Sequence, residues 1–289
     1  MNAMKKETIK KAYAKLNISL DVTDRRADGY HDMVMVMQTV SLADEVRIAL
    51  NETGHVRART NLHFIPGDER NLAVKAALRY LREIGDTVHG ADIEIHKRIP
   101  VGAGMAGGSA DAAAVLRGMN ELFERRVSDA RLEEIAGDVG SDVPFCVRGG
   151  TVLAEGRGEV LSPLPPLPEC VFVICKPDFS ISTPELFKKL DMVRSHHHPD
   201  TAGIVAALKT RDLPQLCRRM YNVFENVDDR RMKAVSEIKS ALLDRGALGA
   251  VMTGTGSAVF GIYGSESAAA AACDALKEVY GFCCTAKPV

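Results

Sequence analysis

The chain has 289 residues, 46% apolar and 26% charged, a composition that suits a soluble globular protein of about two domains. Its 37 basic and 38 acidic residues leave a formal charge of −1, and aromatics are 5% with no Trp. Both facts argue against a protein built to grip a polyanion or to stack bases along a strand. No apolar run approaches the roughly 18 residues that span a bilayer. Residues 1–11 are polar and lysine-rich with no apolar stretch behind them, so neither a membrane span nor a signal peptide is expected. Met4 offers an alternative start. The seven cysteines include no C-x-x-C and read as reduced, mostly buried thiols of a cytoplasmic protein.

Ala14, Leu16, Ile18 and Leu20 alternate with Lys15, Asn17 and Ser19, which predicts a half-buried strand with a polar outer face. Further strands are predicted at 33–40 and 45–50, and a helix at 71–84. Ile93, Ile95 and Ile99 alternate with Glu94, His96 and Arg98 in another one-sided strand. Residues 110–123 have helical periodicity, with Ala112, Val115, Leu116, Met119, Leu122 and Phe123 on one face. The Ser-Pro-Leu-Pro-Pro-Leu-Pro run at 162–168 holds four of the twelve prolines. It reads as an extended connection between domains at 1–161 and 169–289. The second half predicts a strand at 170–175, helices at 183–190 and 229–245, a strand at 258–263, a helix at 267–280 and a final strand. No internal repeat is found. The pattern is α+β, and its second half is compatible with a ferredoxin-like layer.

Between a strand and an Ala-rich helix, Gly102-Ala-Gly-Met-Ala-Gly-Gly-Ser109 concentrates four glycines. Glycines let the backbone turn tightly and approach a ligand with no Cβ in the way, and a helix start offers unpaired N–H groups to an anion. The string matches the dinucleotide fingerprint at Gly102, Gly104 and Gly107. However, the strand before it is half polar, and the next acidic residues fall inside or just after a helix rather than at a strand end. No Gly-Lys-Ser/Thr follows, so a Walker-type loop fails. A tight turn before a helix capped by Ser109 competes with a phosphate loop, and the glycine density favours the phosphate loop.

The wider string Pro100-Val-Gly-Ala-Gly-Met-Ala-Gly-Gly-Ser-Ala-Asp-Ala-Ala-Ala114 resembles the phosphate-binding motif of the GHMP small-molecule kinases. Ala14-Lys-Leu-Asn-Ile-Ser-Leu-Asp21, Arg26-Ala-Asp-Gly-Tyr-His31 and Gly140-Ser-Asp-Val-Pro-Phe145 accompany it in order and spacing. Together they are similar to the GHMP kinases of the non-mevalonate route to isoprenoid precursors, whose acceptor alcohol carries a cytidine diphosphate group. The resemblance runs from about residue 11 to the C-terminus. It implies a ribosomal-S5-like N-terminal domain, a ferredoxin-like C-terminal domain and an active site in the cleft between them. It also implies ATP with Mg²⁺ as cofactors, phosphoryl transfer to a 2-hydroxyl, and a cytoplasmic monomer or homodimer with no nucleic-acid or membrane partner.

The same resemblance distributes roles. Pro100, Val101, Gly102, Ala103, Gly104, Met105, Ala106, Gly107, Gly108 and Ser109 would hold ATP. Ser109 would neighbour an Mg²⁺ carried by the phosphates, with no dedicated metal ligands. Asp142, ahead of Pro144, reads alone as a helix N-cap; the resemblance makes it the carboxylate that orients and deprotonates the acceptor hydroxyl. Lys15 reads alone as a snorkelling surface lysine; the resemblance pairs it with Asp142 to stabilise developing charge. Asn17 points to the same face as Lys15 and is expected to contact substrate. Tyr30 and Phe187 would stack on the cytosine while His31 reads its edge, although Phe187 also suits the core of its helix. Gly254 and Thr255 belong to Gly254-Thr-Gly-Ser257, similar to a third family motif that is commonly Gly-Ser-Gly-Pro. Thr255 keeps the hydroxyl, and Ser257 gives up the stiffness of proline.

His196-His-His198 reads as a polar loop rather than a metal site, and Arg218-Arg219 and Arg230-Arg231 as solvated helix faces. Two other functions compete. A mevalonate or homoserine kinase of the same superfamily would have no purpose for the Gly-Tyr-His loop or Phe187. A catalytically silent nucleotide-binding relative would not need Lys15, Asp142 and the glycine loop intact.

Overall fold

The computed structural model describes residues 6–193 and 197–289, so Met1, Met4 and His196 lie outside the described residues. Backbone contacts sort the chain into two units, neither contiguous in sequence. The first comprises the chain up to Ala14, Ala43–Ile99 and Ala106–Gly149; the second comprises Lys15–Leu42, Pro100–Met105 and Gly150–Val289. Two long strands, β1 (Glu7–Arg25) and β2 (His31–Asn51), pass through both. The strands predicted at 33–40 and 45–50 are thus one, because nothing between them is Gly or Pro and nothing breaks the extended backbone. The polar side of β1 is not solvent-facing either: Lys15, Asn17 and Ser19 are all buried.

In the first unit, β3 (Val56–Thr60) pairs in parallel with β4 (Gly90–His96), which pairs antiparallel with residues 45–51 of β2. Helix α1 (Leu72–Ile84) starts where the Asn71 side chain accepts a hydrogen bond from the Ala73 amide. It packs against α2 (Gly107–Leu122), which is buried on nearly every side because its alanines let neighbours come close. Helices α3 (Asp129–Gly137) and α4 (Val143–Arg148) pack beside it. Ile99, predicted within a strand, lies beyond the end of β4.

The residue that continues the inward row of Ile93 and Ile95 is Lys97, and its ammonium is buried. It forms an ion pair with Asp44 of β2 and another at 2.6 Å with Oδ2 of Asp111 in α2. Asp44 Oδ1 also accepts from the Arg98 and Ile99 amides at 2.5 and 2.8 Å. Asp111 Oδ1 has no partner among the described residues. One ammonium faces two buried carboxylates. Burial pushes the Asp111 carboxyl up to about 8, with Lys97 pulling it down and Asp44 adding to the rise.

In the second unit, residues 33–38 of β2 pair with β5 (Thr151–Gly156), and β5 with β6 (Val160–Pro163), so the proline run begins as strand. Then follow β7 (Val171–Lys176), α5 (Thr183–Leu190), α6 (Thr201–Thr210) and α7 (Leu213–Cys217). A short β8 (Tyr221–Asn222) pairs in parallel with β1 at Ser19 and Leu20, and a 3₁₀ turn at Val223–Asn226 comes next. The chain ends with α8 (Met232–Leu243), β9 (Gly249–Met252), β10 (Val259–Tyr263), α9 (Glu266–Lys277) and β11 (Phe282–Ala286). The sheet order β11-β7-β10-β9 is antiparallel throughout, and α8 and α9 pack on it. Fourth, first, third, second is the ferredoxin-like order expected from sequence. In this sheet the strand that the sequence reading lacked is β9, only four residues long and too short to declare a period. All seven cysteines are free thiols and six are buried. Among the described residues, no helix is long and apolar enough to cross a membrane.

The Asp111 carboxyl carries a pH signature. It titrates near 3.8 when unfolded and near 8 when folded. Its protonated form therefore stabilises the fold fully below pH 3.8, and that contribution is lost as pH rises towards 8. Asp111→Asn cannot ionise. It is expected to lose less of its urea midpoint than the parent between about pH 5 and about pH 8. Equal losses in both proteins would show that Asp111 is ionised in the fold.

Candidate active site

Lys15 and Asn17 are two residues apart on β1 and so share a face. Lys15 Nζ donates to Asn17 Oδ1 at 2.6 Å, and the Gly254 amide donates to the same oxygen at 3.0 Å. The Asn17 amide N–H donates to Thr253 Oγ1 at 3.1 Å. That hydroxyl lies 3.3 Å from both Asn17 Oδ1 and the Gly104 carbonyl, either of which can take its proton. Asn17 Nδ2 faces Met35 Sδ at 3.3 Å. Asn17 is 0% exposed, so in this structure it touches Lys15, Met35 and the Thr253–Gly254 turn instead of solvent. Lys15, 4% exposed, is no surface lysine: its ammonium is held inside the protein by an amide carbonyl.

The two glycine segments meet backbone to backbone. Gly104 has φ 75 and Gly254 has φ 56, both left-handed. A Cβ on Gly104 would lie 2.1 Å from the Thr253 carbonyl oxygen, and one on Gly254 2.8 Å from that of Gly104. Only glycine fits either place. The Ala258 amide donates to Ala103 O and the Lys15 amide to Met105 O, each at 3.2 Å, which ties the 100–105 strip to β1 and to the turn before β10. The Asn222 side chain donates to the carbonyls of Met252 and Gly254 at 2.8 and 2.7 Å. Thr255 Oγ1 is 2.8 Å from Thr183 Oγ1 at the start of α5.

Helix α2 begins at Gly107, with Ala106 as its N-cap residue at φ 56, and no side chain caps it. Ser109 is therefore the third helical residue and not the N-cap that the sequence indicated. Ala106 adopts the left-handed conformation instead, and the helix starts ahead of the serine. The uncapped first-turn amides of α2 suit an anion such as a phosphate. Asp142 does occupy the N-cap position of α4, yet its φ −85 and ψ −8 are helical rather than the extended values of a capping residue. Its carboxylate makes no hydrogen bond or ion pair among the described residues and is free for other work.

Tyr30 is 58% exposed, with the Arg157 guanidinium 5.2 Å from its ring centroid. His31 stacks on Phe187 with centroids 4.7 Å apart and planes at 26°. Its Nε2 is 2.7 Å from Asp191 Oδ1. Phe187 in turn meets the edge of Phe224 at 4.9 Å. The structure thus brings His31 and Phe187 together and leaves Tyr30 at the surface. Arg231, expected on a solvated face, instead pairs with Asp229 at 2.5 Å and Glu185 at 2.7 Å, while Arg219 pairs with Asp200 at 2.9 Å. Among the described residues, no group of three or more His, Cys, Asp or Glu could hold a metal ion.

Residues 71–150 match the GHMP kinases N terminal domain, and residues 204–281 match the GHMP kinases C terminal domain. The chain belongs to the GHMP kinase family. A curated relative from Lachnoclostridium phytofermentans, named 4-diphosphocytidyl-2-C-methyl-D-erythritol kinase, is 43% identical over 259 residues, 90% of this chain and 89% of its own. A solved structure of 4-(cytidine 5'-diphospho)-2C-methyl-D-erythritol kinase superposes with a TM-score of 0.80 at 31% identity, covering 97% of this chain and 99% of that one. Homoserine kinase from Cytophaga hutchinsonii superposes with a TM-score of 0.79 at 23% identity, over 100% of this chain and 96% of that one, a likeness of fold alone. The two-domain GHMP kinase fold and an ATP-dependent small-molecule kinase are both established by these matches.

Sequence reasoning missed Thr253, Asn222, Asp191 and the Asp44–Lys97–Asp111 cluster of this GHMP kinase. Lys97 and Asp111 alone left a signal, one as a charge continuing an inward row of isoleucines and the other as a charge inside an alanine run. The contact between the two glycine segments is directly testable. Gly104→Ala must put a Cβ on the Thr253 carbonyl at a left-handed φ, a strain of about 1–3 kcal/mol before the clash is counted. It is expected to lower the melting temperature and weaken ATP binding at least about tenfold. Gly108→Ala, whose Cβ would meet only Leu72 Cδ1 at 3.7 Å, is expected to stay near the parent in both measurements. ATP affinity by calorimetry checks the pair.

Proposed function

We propose that this GHMP kinase transfers the γ-phosphoryl group of ATP to the 2-hydroxyl of 4-diphosphocytidyl-2-C-methyl-D-erythritol, in the non-mevalonate route to isoprenoid precursors. The observation that carries this reading is identity of 41–43% over at least nine-tenths of the chain to relatives bearing that enzyme's name. The reading places the enzyme in the cytoplasm, as a monomer or a homodimer acting on small molecules rather than on nucleic acid.

Phosphoryl transfer to an alcohol needs the phosphates held in place, positive charge near the transferring group and a destination for the hydroxyl proton. Residues 100–109 hold the phosphates through backbone amides that no side chain caps. Ser109, on the first turn of α2, would neighbour an Mg²⁺ carried by ATP, which would offset phosphate charge. Asp142 orients the acceptor hydroxyl and takes its proton. Lys15 stabilises the negative charge that develops. Its ammonium keeps two free protons to donate, because Asn17 Oδ1 occupies only one. Asn17 sets the direction of that ammonium. Tyr30 and Phe187 stack on the cytosine, His31 reads its edge, and Gly254 and Thr255 face the diphosphate.

Asp142→Asn keeps the shape of the side chain and removes the base. Turnover is expected to fall by roughly 10²–10⁴-fold while ATP binding stays nearly unchanged. The assay follows ADP release with ATP, Mg²⁺ and a panel of the cytidyl acceptor, mevalonate and homoserine. Parent turnover of mevalonate or homoserine in preference to the cytidyl acceptor would overturn the substrate. An Asn variant that keeps most of its turnover would remove Asp142 from catalysis.

A further inference from the structure

We infer that Asp191 is a specificity-determining positioning residue, which fixes the tautomer of His31 so that the imidazole presents a hydrogen-bond acceptor to the acceptor's base. The inference rests on the substrate reading above and deepens it. Helix α5 supplies two groups to one ring: Phe187 stacks on His31, and Asp191 Oδ1, one turn later, lies 2.7 Å from its Nε2. The His31 side chain is only 10% exposed, so the ring has little freedom to turn over. An ionised carboxylate can only accept, so Nε2 must be the protonated nitrogen. In the uncharged ring, Nδ1 is then an acceptor, and it has no hydrogen-bond partner among the described residues.

The location of Asp191 supports a purpose beyond folding. It is the residue that ends α5, where the negative end of the helix dipole disfavours a carboxylate. Arg25 at the end of β1 reaches its other oxygen at 3.6 Å, and Arg25 is itself mostly exposed, so that partner offsets little. The strong partner of Asp191 is the imidazole. An acceptor at Nδ1 matches the 4-amino group of cytosine, which donates. It opposes the 4-carbonyl of uracil, which also accepts, leaving two lone pairs face to face.

The test measures kcat/KM for the cytidyl acceptor and its uridyl analogue in the parent and in Asp191→Ala, together with the ¹⁵N shifts of the His31 ring. In the parent, the Nε2-protonated form and a strong cytidyl preference are expected. In Asp191→Ala, the two tautomers mix and the preference falls by about 10- to 100-fold, mostly through KM for the cytidyl acceptor. Parent His31 protonated on Nδ1 would overturn the inference without any variant, so a chain that fails to fold as Asp191→Ala still leaves it decided. An unchanged cytidyl-to-uridyl ratio in a folded Asp191→Ala would overturn it while leaving the substrate reading intact. A parent that turns over neither acceptor would overturn both.

Discussion

The side-chain carbonyl of Asn17 is the point on which the second unit's share of the site depends. It is fully buried and takes protons from the Lys15 ammonium and the Gly254 amide. A lysine ammonium this deeply buried needs an acceptor in place of the water it has lost. The same oxygen holds the turn that carries Gly254, and that turn presses on Gly104. Remove the carbonyl and a buried ammonium and a buried amide both lose their acceptor, a far larger penalty than the net value of either bond. Lys15 and the 102–105 strip are therefore positioned before any substrate arrives. Under the proposed function, this is the preorganisation that electrostatic catalysis requires.

A second constraint acts at the two ends of the glycine loop within the first unit. The chain leaves β4 through Arg98 and Ile99, whose amides both point at Asp44 Oδ1. It returns at Gly107, where a Cβ would stand 3.1 Å from Ile99 Cγ2 and 3.4 Å from Lys97 Nζ. Lys97 joins Asp44 on the outgoing side to Asp111 on the returning helix. A buried ion cluster is a poor source of net stability, since desolvation offsets most of its attraction. Its value here is geometric: loop exit and loop entry are fixed to one ammonium, and breaking that link strands a buried carboxylate.

These two constraints differ in how far the sequence disclosed them. The glycine string and the helices at 71–84 and 183–190 were legible because each depends on neighbours within a few residues. The burial of Lys15 and Asn17 was not, because strict alternation looks the same whether the polar side faces water or a polar interior. Lys97 continued an inward row of isoleucines, and Asp111 interrupted a row of alanines; both broke the local pattern at places that turn out to pair with each other. The start of α2 was misplaced because Ala106 adopts a left-handed backbone that no alanine advertises. The pairing of His31 with Asp191 joins residues far apart in the chain, and only the fold brings them within 2.7 Å.

A fold that superposes on a homoserine kinase cannot itself choose a cytidyl acceptor, so the choice must lie in side chains attached to the shared frame. Helix α5 is such an attachment. Its first residue, Thr183, bonds to Thr255 of the third glycine motif, and its far end holds His31 through Phe187 and Asp191. Under the proposed function, base recognition is therefore anchored, through Thr183 and Thr255, to the turn that Asn17 holds. The hydroxyl at position 255 carries that link, which explains how threonine stands in for the commoner serine: the methyl group is new, but the oxygen that meets Thr183 is kept. What proline would have added at position 257 in stiffness is supplied in part by packing, since Ser257 is fully buried and bonds through its own hydroxyl to the Phe179 carbonyl. The third motif thus departs from the family's usual letters and, through Thr255 and Gly254, joins helix α5 to the buried Asn17.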